Sequence, residues 1–246
     1  MGGQLCQEQA DNRPQSRKLT IWGDYINADT RAILAVLKLA EQDFEFKPIN
    51  SLEGEHKTNK EFAIISPSLD IPVITEASYK IISGPVQYMT YLTHTRAAVK
   101  KKLYPDDWSR QISRHINWFQ NKMRPTTGRL MKLLIAQIQR SVNDPNSAPA
   151  NMQDDIDYEI SVIEKMLENL EVELRDQKYF GGELSVIDCL YYTEISTISC
   201  LVGRSIVPEN TSIDNWYSKS MQCQEIMDLD AAMQKTVDEF KAKSKK

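Results

Sequence analysis

The chain has few of the residues that build metal or disulfide sites, with four cysteines and three histidines among its 246 residues. None of the cysteines stands in a CxxC pair or at metal-ligand spacing. We therefore expect neither a metal site nor a disulfide framework, and a reducing compartment fits best. No apolar run is long enough to cross a bilayer. The net charge of −4 and the lack of a basic face argue against nucleic acid as the main partner.

The first 17 residues are polar and show no hydrophobic period, which predicts a flexible arm. They lack the apolar centre of a secretory signal and the pattern of a mitochondrial presequence, so the expected location is cytoplasmic. Their start is close to a myristoylation signal at Gly2, with Cys6 where Ser or Thr is usual. A palmitoyl group on Cys6 would supply the second anchor for membrane attachment. An unmodified tail is the alternative.

Residues 18–96 show the pattern of a small α/β domain. A short strand at 19–22 precedes a turn-rich loop and a helix with one apolar face, and a second strand follows at 44–49. Asn27 or Asp29 can cap the helix. This β-α-β order predicts a parallel pair of strands with a right-handed crossover.

Two further strands and a helix complete this domain. An apolar run headed by Ile71-Pro72 and a second short strand at 79–82 precede a helix that opens at Gly84-Pro85. A trans proline in an ordinary edge strand is the alternative for this run alone. The full order βαβαββα predicts a thioredoxin-like fold in which the bond before Pro72 is cis, a rare feature of X–Pro bonds.

Residues 104–246 predict an all-helical domain. Pro125 kinks or breaks the helix in which it lies. Apolar positions at alternating steps of four and three predict a long one-sided helix from Asp154. Ser185 and Asp188 have the spacing of a capping box at the start of the next helix.

A thioredoxin-like domain followed by an all-helical domain resembles a glutathione transferase, and local motifs agree along nearly the whole chain from Leu19. The segment GEHK at 54–57 is similar to the theta class, IPV at 71–73 matches the family's cis-proline motif, and the capping box is matched too. The resemblance implies glutathione as a ligand or co-substrate and no further cofactor. It also implies a homodimer, or an assembly through a transferase-type surface.

The resemblance places the thiol site at the start of the first helix. These enzymes lower the pKa of the glutathione thiol with a nearby hydroxyl, which must donate more strongly to the thiolate than to the thiol. The theta-class serine sits four residues before the helix arginine, here Arg31, so its counterpart is Asn27. Tyr25 is the second candidate. The omega-class cysteine would fall at Ile26, which excludes that chemistry.

The glutathione-binding positions that the resemblance implies are mixed. His56 and Lys57 match residues that hold the glycyl carboxylate, and Ile71, ahead of Pro72, would offer its backbone groups to the cysteinyl part.

The γ-glutamyl end departs from the family pattern. The family's Glu-Ser pair falls on Gly84-Pro85, or on Ser83-Gly84 if the gap is moved by one. Pro85 also removes an N–H at the helix start. The resemblance therefore predicts a degenerate glutathione site.

Three functions are consistent with these residues. The favoured one is a transferase-like protein with weak or no conjugating activity. The others are an active theta-like transferase or peroxidase using Asn27 or Tyr25, and a non-catalytic subunit of a larger assembly. If the protein is an enzyme, His115 and Trp118 would line its substrate cleft. Their alternative role is packing on the helix that Pro125 kinks.

Overall fold

The computed structural model describes residues 18–76, 79–81, 84–143, 151–175 and 177–243. Gly2, Cys6 and Ser83, for which the sequence predicted roles, lie outside this range. The first part contains β1 (Thr20–Gly23), α1 (Ala28–Leu39), β2 (Glu45–Pro48), α2 (Glu55–Thr58), α3 (Lys60–Ile65), β3 (Val73–Glu76), β4 (Tyr79–Ile81) and α4 (Pro85–Thr95).

These strands form one four-stranded sheet in the order β2-β1-β3-β4. The sheet is mixed, because β1 is parallel to β2 and antiparallel to β3, and β3 is antiparallel to β4. At the centre of the sheet, Ile21 pairs with Phe46 on one side and with Ile74 on the other. The order βαβαββα and the parallel first pair are therefore confirmed.

The rest of the described chain is helical. It contains α5 (Ala97–Leu103), a 3₁₀ turn (Asp106–Trp108), α6 (Ser109–Trp118), a π-helical turn (Phe119–Met123), α7 (Arg124–Asn143), α8 (Met152–Leu174), α9 (Val186–Val202), α10 (Ser212–Ser220) and α11 (Gln224–Ala242). A thioredoxin-like sheet domain followed by a helical domain is the predicted architecture, and it is confirmed. None of the helices described is long and apolar enough to cross a membrane.

The sequence predicted a kink or a break at Pro125, and the helix is not broken there. Pro125 occupies the second position of α7, directly after the π-helical turn, and helical backbone is continuous from α6 into α7. Proline removes an N–H and crowds the carbonyl four residues earlier, Asn121 in this chain. A wider π turn at that point accommodates both effects.

Helix α1 lies between the sheet and the helical domain. Its residues from Ala32 to Leu37 are all buried, because the helix packs on the sheet as well as on α9 and α11. A helix that is apolar all round belongs in the interior of a protein. The first turn of α1 therefore sits where the two domains meet.

Candidate functional site

The cis-proline segment forms one side of the candidate site. The Ile71–Pro72 peptide bond is cis, as predicted. The hydroxyl of Tyr88, on α4, donates to the Pro72 carbonyl oxygen at 2.5 Å. This bond fixes the backbone that follows Ile71 just before β3 begins.

Asn27 forms the other side, at the start of α1. It is the N-cap of this helix, and its Oδ1 accepts from the Thr30 backbone N–H at 2.9 Å and from the Thr30 hydroxyl at 3.2 Å. Its Nδ2 lies 3.5 Å from the Ile71 carbonyl oxygen. This separation exceeds the usual 2.7–3.2 Å of an N–H···O bond, so the amide can still donate to a group that enters the site.

Tyr25 points to the opposite side of β1. Its ring packs on Phe46 of β2, with 5.0 Å between the ring centroids, and burial raises the pKa of its hydroxyl. Because β2 and β3 flank β1 on opposite sides, the structure brings Asn27 to Ile71 and leaves Tyr25 away from it.

Asp24 joins the loop before α1 to the loop before α2. Its carboxylate accepts from the Ile26 N–H at 3.1 Å, from the Ser51 N–H at 2.7 Å and from the Ser51 hydroxyl at 2.5 Å. Burial raises the pKa of this carboxyl, while these hydrogen bonds oppose the rise. The contacts tie the backbone that carries Asn27 to the segment that carries α2.

His56 and Lys57 lie on α2, which follows a glycine with φ of 77°. Lys57 is exposed. His56 is half-buried, and its Nδ1 is shielded from solvent without a hydrogen-bond partner among the described residues. Burial and then the nearby Lys57 lower the pKa of His56, and Asp24 opposes them. An ammonium group and a neutral imidazole can each donate to a carboxylate ligand.

The start of α4 offers little to a charged ligand. Gly84 is the N-cap and makes no side-chain cap bond, and Pro85, buried, occupies the first helical position. Neither residue supplies a side-chain donor or acceptor. Ser83, the remaining candidate for this end of the site, is outside the described residues.

His115 and Trp118 are packed into the helical domain. His115 is 4% exposed, its Nδ1 lies 3.1 Å from the Tyr191 hydroxyl, and its ring meets Phe180 edge-on at 5.3 Å. Trp118 meets Tyr191 at 6.0 Å. Burial lowers the pKa of His115 to about 4. These contacts support the packing role rather than a cleft lining.

Charged residues that the sequence analysis did not assign to the site surround the start of α1. Asp29 pairs with Arg124, and Arg124 also reaches the buried Glu194 of α9. Arg31 is fully buried, donates to the Thr193 carbonyl at 2.8 Å and pairs with Asp230. Of these residues, Glu194 could have been recognised from the sequence, because an acidic residue in the middle of a largely apolar helix needs a partner.

The capping box of α9 is present, as predicted. Asp188 accepts from the Ser185 N–H at 2.9 Å, from the Phe180 N–H at 3.0 Å and from the Trp216 indole at 2.9 Å. Cys189, beside it, is fully buried, and burial raises the pKa of its thiol. A buried thiol with a raised pKa packs in the core and is a poor nucleophile. Among the described residues, no group of three or more His, Cys, Asp or Glu side chains could hold a metal ion.

The comparisons with known proteins agree on one family. No protein-family model matches the chain. A glutathione S-transferase from Hyoscyamus muticus is 22% identical over 192 residues, which cover 76% of this chain and 84% of that protein. The structure matches the apo form of human glutathione S-transferase T1-1 with a TM-score of 0.74 at 17% identity, over 92% of this chain and 95% of the human one. It matches glutathione transferase F7 from Populus trichocarpa with a TM-score of 0.72 at 17% identity, over 87% and 99% of the two chains. The chain therefore has the fold of glutathione transferases along most of its length and is similar in sequence to one of them.

Proposed function

We propose that this protein binds glutathione between α2 and the start of α1, and that it conjugates glutathione weakly or not at all. The observation that carries the proposal is the hydrogen bonding of the Asn27 side chain. At the position of the family's serine, its oxygen is used to cap α1, and only a neutral amide N–H remains to face the site beside Ile71.

The thiol chemistry follows from that donor. A hydrogen bond lowers a thiol pKa only to the extent that it favours the thiolate over the thiol. The Asn27 amide can donate to a thiolate, but one of its two hydrogens is directed to the Ile71 carbonyl, with 3.5 Å between the nitrogen and the oxygen. We therefore expect a bound thiol to stay mostly protonated at neutral pH.

The binding groups differ between the two ends of the site. Lys57 and His56 suit the glycyl carboxylate, and Ile71 offers backbone groups for the cysteinyl part. The γ-glutamyl end meets Gly84 and Pro85, which provide no charged partner. Charge-assisted hydrogen bonds contribute about 1.5–3 kcal/mol each, so losing two of them weakens binding by roughly 100-fold or more.

Calorimetric titration with glutathione tests binding at the α2 end. We expect a weak but measurable affinity that falls about tenfold or more in Lys57→Ala, because one charge-assisted bond to the carboxylate is lost. Lys60→Ala is the matched control, since Lys60 is another exposed lysine three residues along. Equal affinities for all three proteins would contradict the assigned carboxylate site.

Restoring the family residues tests the rest of the proposal. The combination Asn27→Ser, Gly84→Glu and Pro85→Ser should raise glutathione affinity first and turnover of a chromogenic aryl halide second. Gly84 has room for a side chain, because an added Cβ would meet only the Gln87 side chain at 3.5 Å. Asn27→Ser alone should help little, since a hydroxyl there acts mainly on the thiolate. Ordinary enzymatic turnover by the unaltered protein, about 1–1000 per second, would show that the site uses other residues.

The remaining parts of the proposal concern assembly and location. A homodimer or larger assembly, a cytoplasmic location and acylation at Gly2 and Cys6 stay predictions from the sequence. Mass spectrometry of the native protein tests the acylation, and an unmodified N-terminus would remove the membrane anchor. The non-catalytic assembly role becomes the better explanation if calorimetry detects no glutathione binding.

A further inference from the structure

The two sides of the candidate site are each held by a polar side chain from a helix outside it. On the cis-proline side, Tyr88 holds the Pro72 carbonyl at 2.5 Å. On the α1 side, Asp29 lies in the first turn of α1, two residues after Asn27, and its carboxylate pairs with the guanidinium of Arg124 on α7.

Arg124 connects α1 to the interior of the helical domain. Its Nη1 lies 3.0 Å from Glu194 Oε2, and the Thr127 hydroxyl donates to the other oxygen of Glu194. The guanidinium also lies over the Phe119 ring, 5.0 Å from its centroid. A single planar cation thus bridges two carboxylates from different helices, which arginine does better than lysine.

The backbone next to Arg124 is unusual. A π-helical turn spans Phe119–Met123 and ends directly before this residue. Such turns are rare and occur frequently at functional sites. Here the turn directly precedes Arg124, the residue that pairs with Asp29 at the start of α1.

We propose that Arg124, acting through Asp29, is a positioning residue that sets the distance between the Asn27 amide and the Ile71 carbonyl, an inference that rests on the proposed glutathione site. The direct contact between Asn27 and Ile71, at 3.5 Å, is too long to fix this distance by itself. A displacement of about 1 Å at a reacting group can change a rate on the order of 100-fold, so the outside support matters.

The experiment compares four variants of the full chain. Arg124→Gln removes the bridge, Arg124→Lys keeps the charge without the two-sided geometry, and Asp29→Asn cuts only the link to α1 while the pair with Glu194 remains. Arg129→Gln is the matched control, because Arg129 lies on the same helix but pairs with Glu159 of α8. If Arg124→Gln fails to fold, Asp29→Asn decides the question.

The first measurement is the pKa of the glutathione thiol in the complex, from the ultraviolet absorbance of the thiolate. We expect the thiolate fraction at a fixed alkaline pH to change about tenfold in Arg124→Gln and Asp29→Asn, because a displaced Asn27 amide stabilises the thiolate to a different extent. Arg124→Lys should recover part of this change, and Arg129→Gln should show none. A merely stabilising role would lower the unfolding midpoint and leave this thiol pKa unchanged. That result would overturn the inference while leaving glutathione binding intact.

The second measurement needs no glutathione. The Thr30 backbone N–H bonds to Asn27, so its hydrogen exchange reports on the start of α1. We expect exchange at Thr30 to speed up about tenfold in Arg124→Gln and Asp29→Asn, and not in Arg129→Gln, because opening this turn then requires less free energy. If glutathione does not bind at all, the proposed function fails, and unchanged exchange at Thr30 would overturn the positioning role independently.

Discussion

Side chains cap the starts of both α1 and α9, but the polar atoms of the two caps are hydrogen-bonded to different degrees. At α9, Asp188 takes hydrogen bonds from the Ser185, Phe180 and Trp216 nitrogens, and the whole arrangement is buried. At α1, Asn27 uses one atom for the cap and directs the other toward Ile71. A fully satisfied cap acts only on stability, whereas a cap with a spare donor can also bind a ligand.

Their surroundings differ in the same way. The α9 start packs against an aromatic group in which Phe180 contacts Trp216 at 5.0 Å and Tyr191 at 4.7 Å. The α1 start depends on ion pairs that cross to other helices, chiefly Asp29 with Arg124. We therefore expect changes at α9 to act on unfolding, and changes at α1 to act on the site at a smaller cost in stability.

Removing the carboxylate of the α9 cap should have the largest effect. Asp188→Ala leaves buried donors of Ser185, Phe180 and Trp216 without an acceptor, and each such group costs about 1–3 kcal/mol. We expect a loss of about 4 kcal/mol in urea unfolding. Asp214→Ala, in the first turn of α10, is the control, because within the described part of the chain the Asp214 carboxylate accepts only from the Asn210 N–H, at 3.1 Å. Similar losses in both variants would contradict the difference claimed for α9.

The pH dependence of stability should reveal the buried His115 beside Phe180. Its folded pKa of about 4 lies below the ordinary 6.5, so its contribution is present above pH 6.5 and lost as pH falls to 4. Burial dominates this shift, Arg114 adds to it, and Glu173 opposes it. Between pH 7 and 4 the stability of the natural protein relative to His115→Gln should fall by up to about 3 kcal/mol.

The comparison with His115→Gln is needed because another group has the opposite slope. Burial raises the pKa of Asp188 from 3.8 to about 6, so its contribution is present at low pH and lost as pH rises through 6. Both proteins contain Asp188, and its effect cancels in the difference. The exposed His94→Gln serves as the control. A relative stability that does not change with pH would show that His115 is not held neutral by burial.

The sequence predicted those features of the site that depend on residues close together in the chain, and missed those that depend on distant contacts. The helix cap at Asn27 and the capping box of Ser185 and Asp188 follow from neighbouring residues, and both are present. The cis bond at Pro72, also present, follows from the order of strands and helices in the whole domain. The orientation of Tyr25 toward Phe46 depends on the neighbouring strand and was not foreseen.

The supports of the site were missed for the same reason. Asp29 and Arg124 are 95 residues apart in the chain, and their contact exists only because α1 packs between the sheet and the helical domain. No local pattern marks such a pair. The packing role of His115 likewise depends on Tyr191, which is 76 residues away.

Changing Asn27 should have the smallest effect on stability and separates its two roles. Asn27→Ala removes both the cap and the amide, and the loss of a cap costs about 1 kcal/mol. Asn27→Ser keeps a cap of similar strength, so its urea midpoint should match that of the natural protein. Glutathione affinity, measured on the same preparations under conditions where all variants are folded, should drop in Asn27→Ala, because this variant has no amide beside Ile71. If Asn27→Ala keeps the natural affinity, the amide contributes nothing to the site, and the cap at α1 is as purely structural as the one at α9.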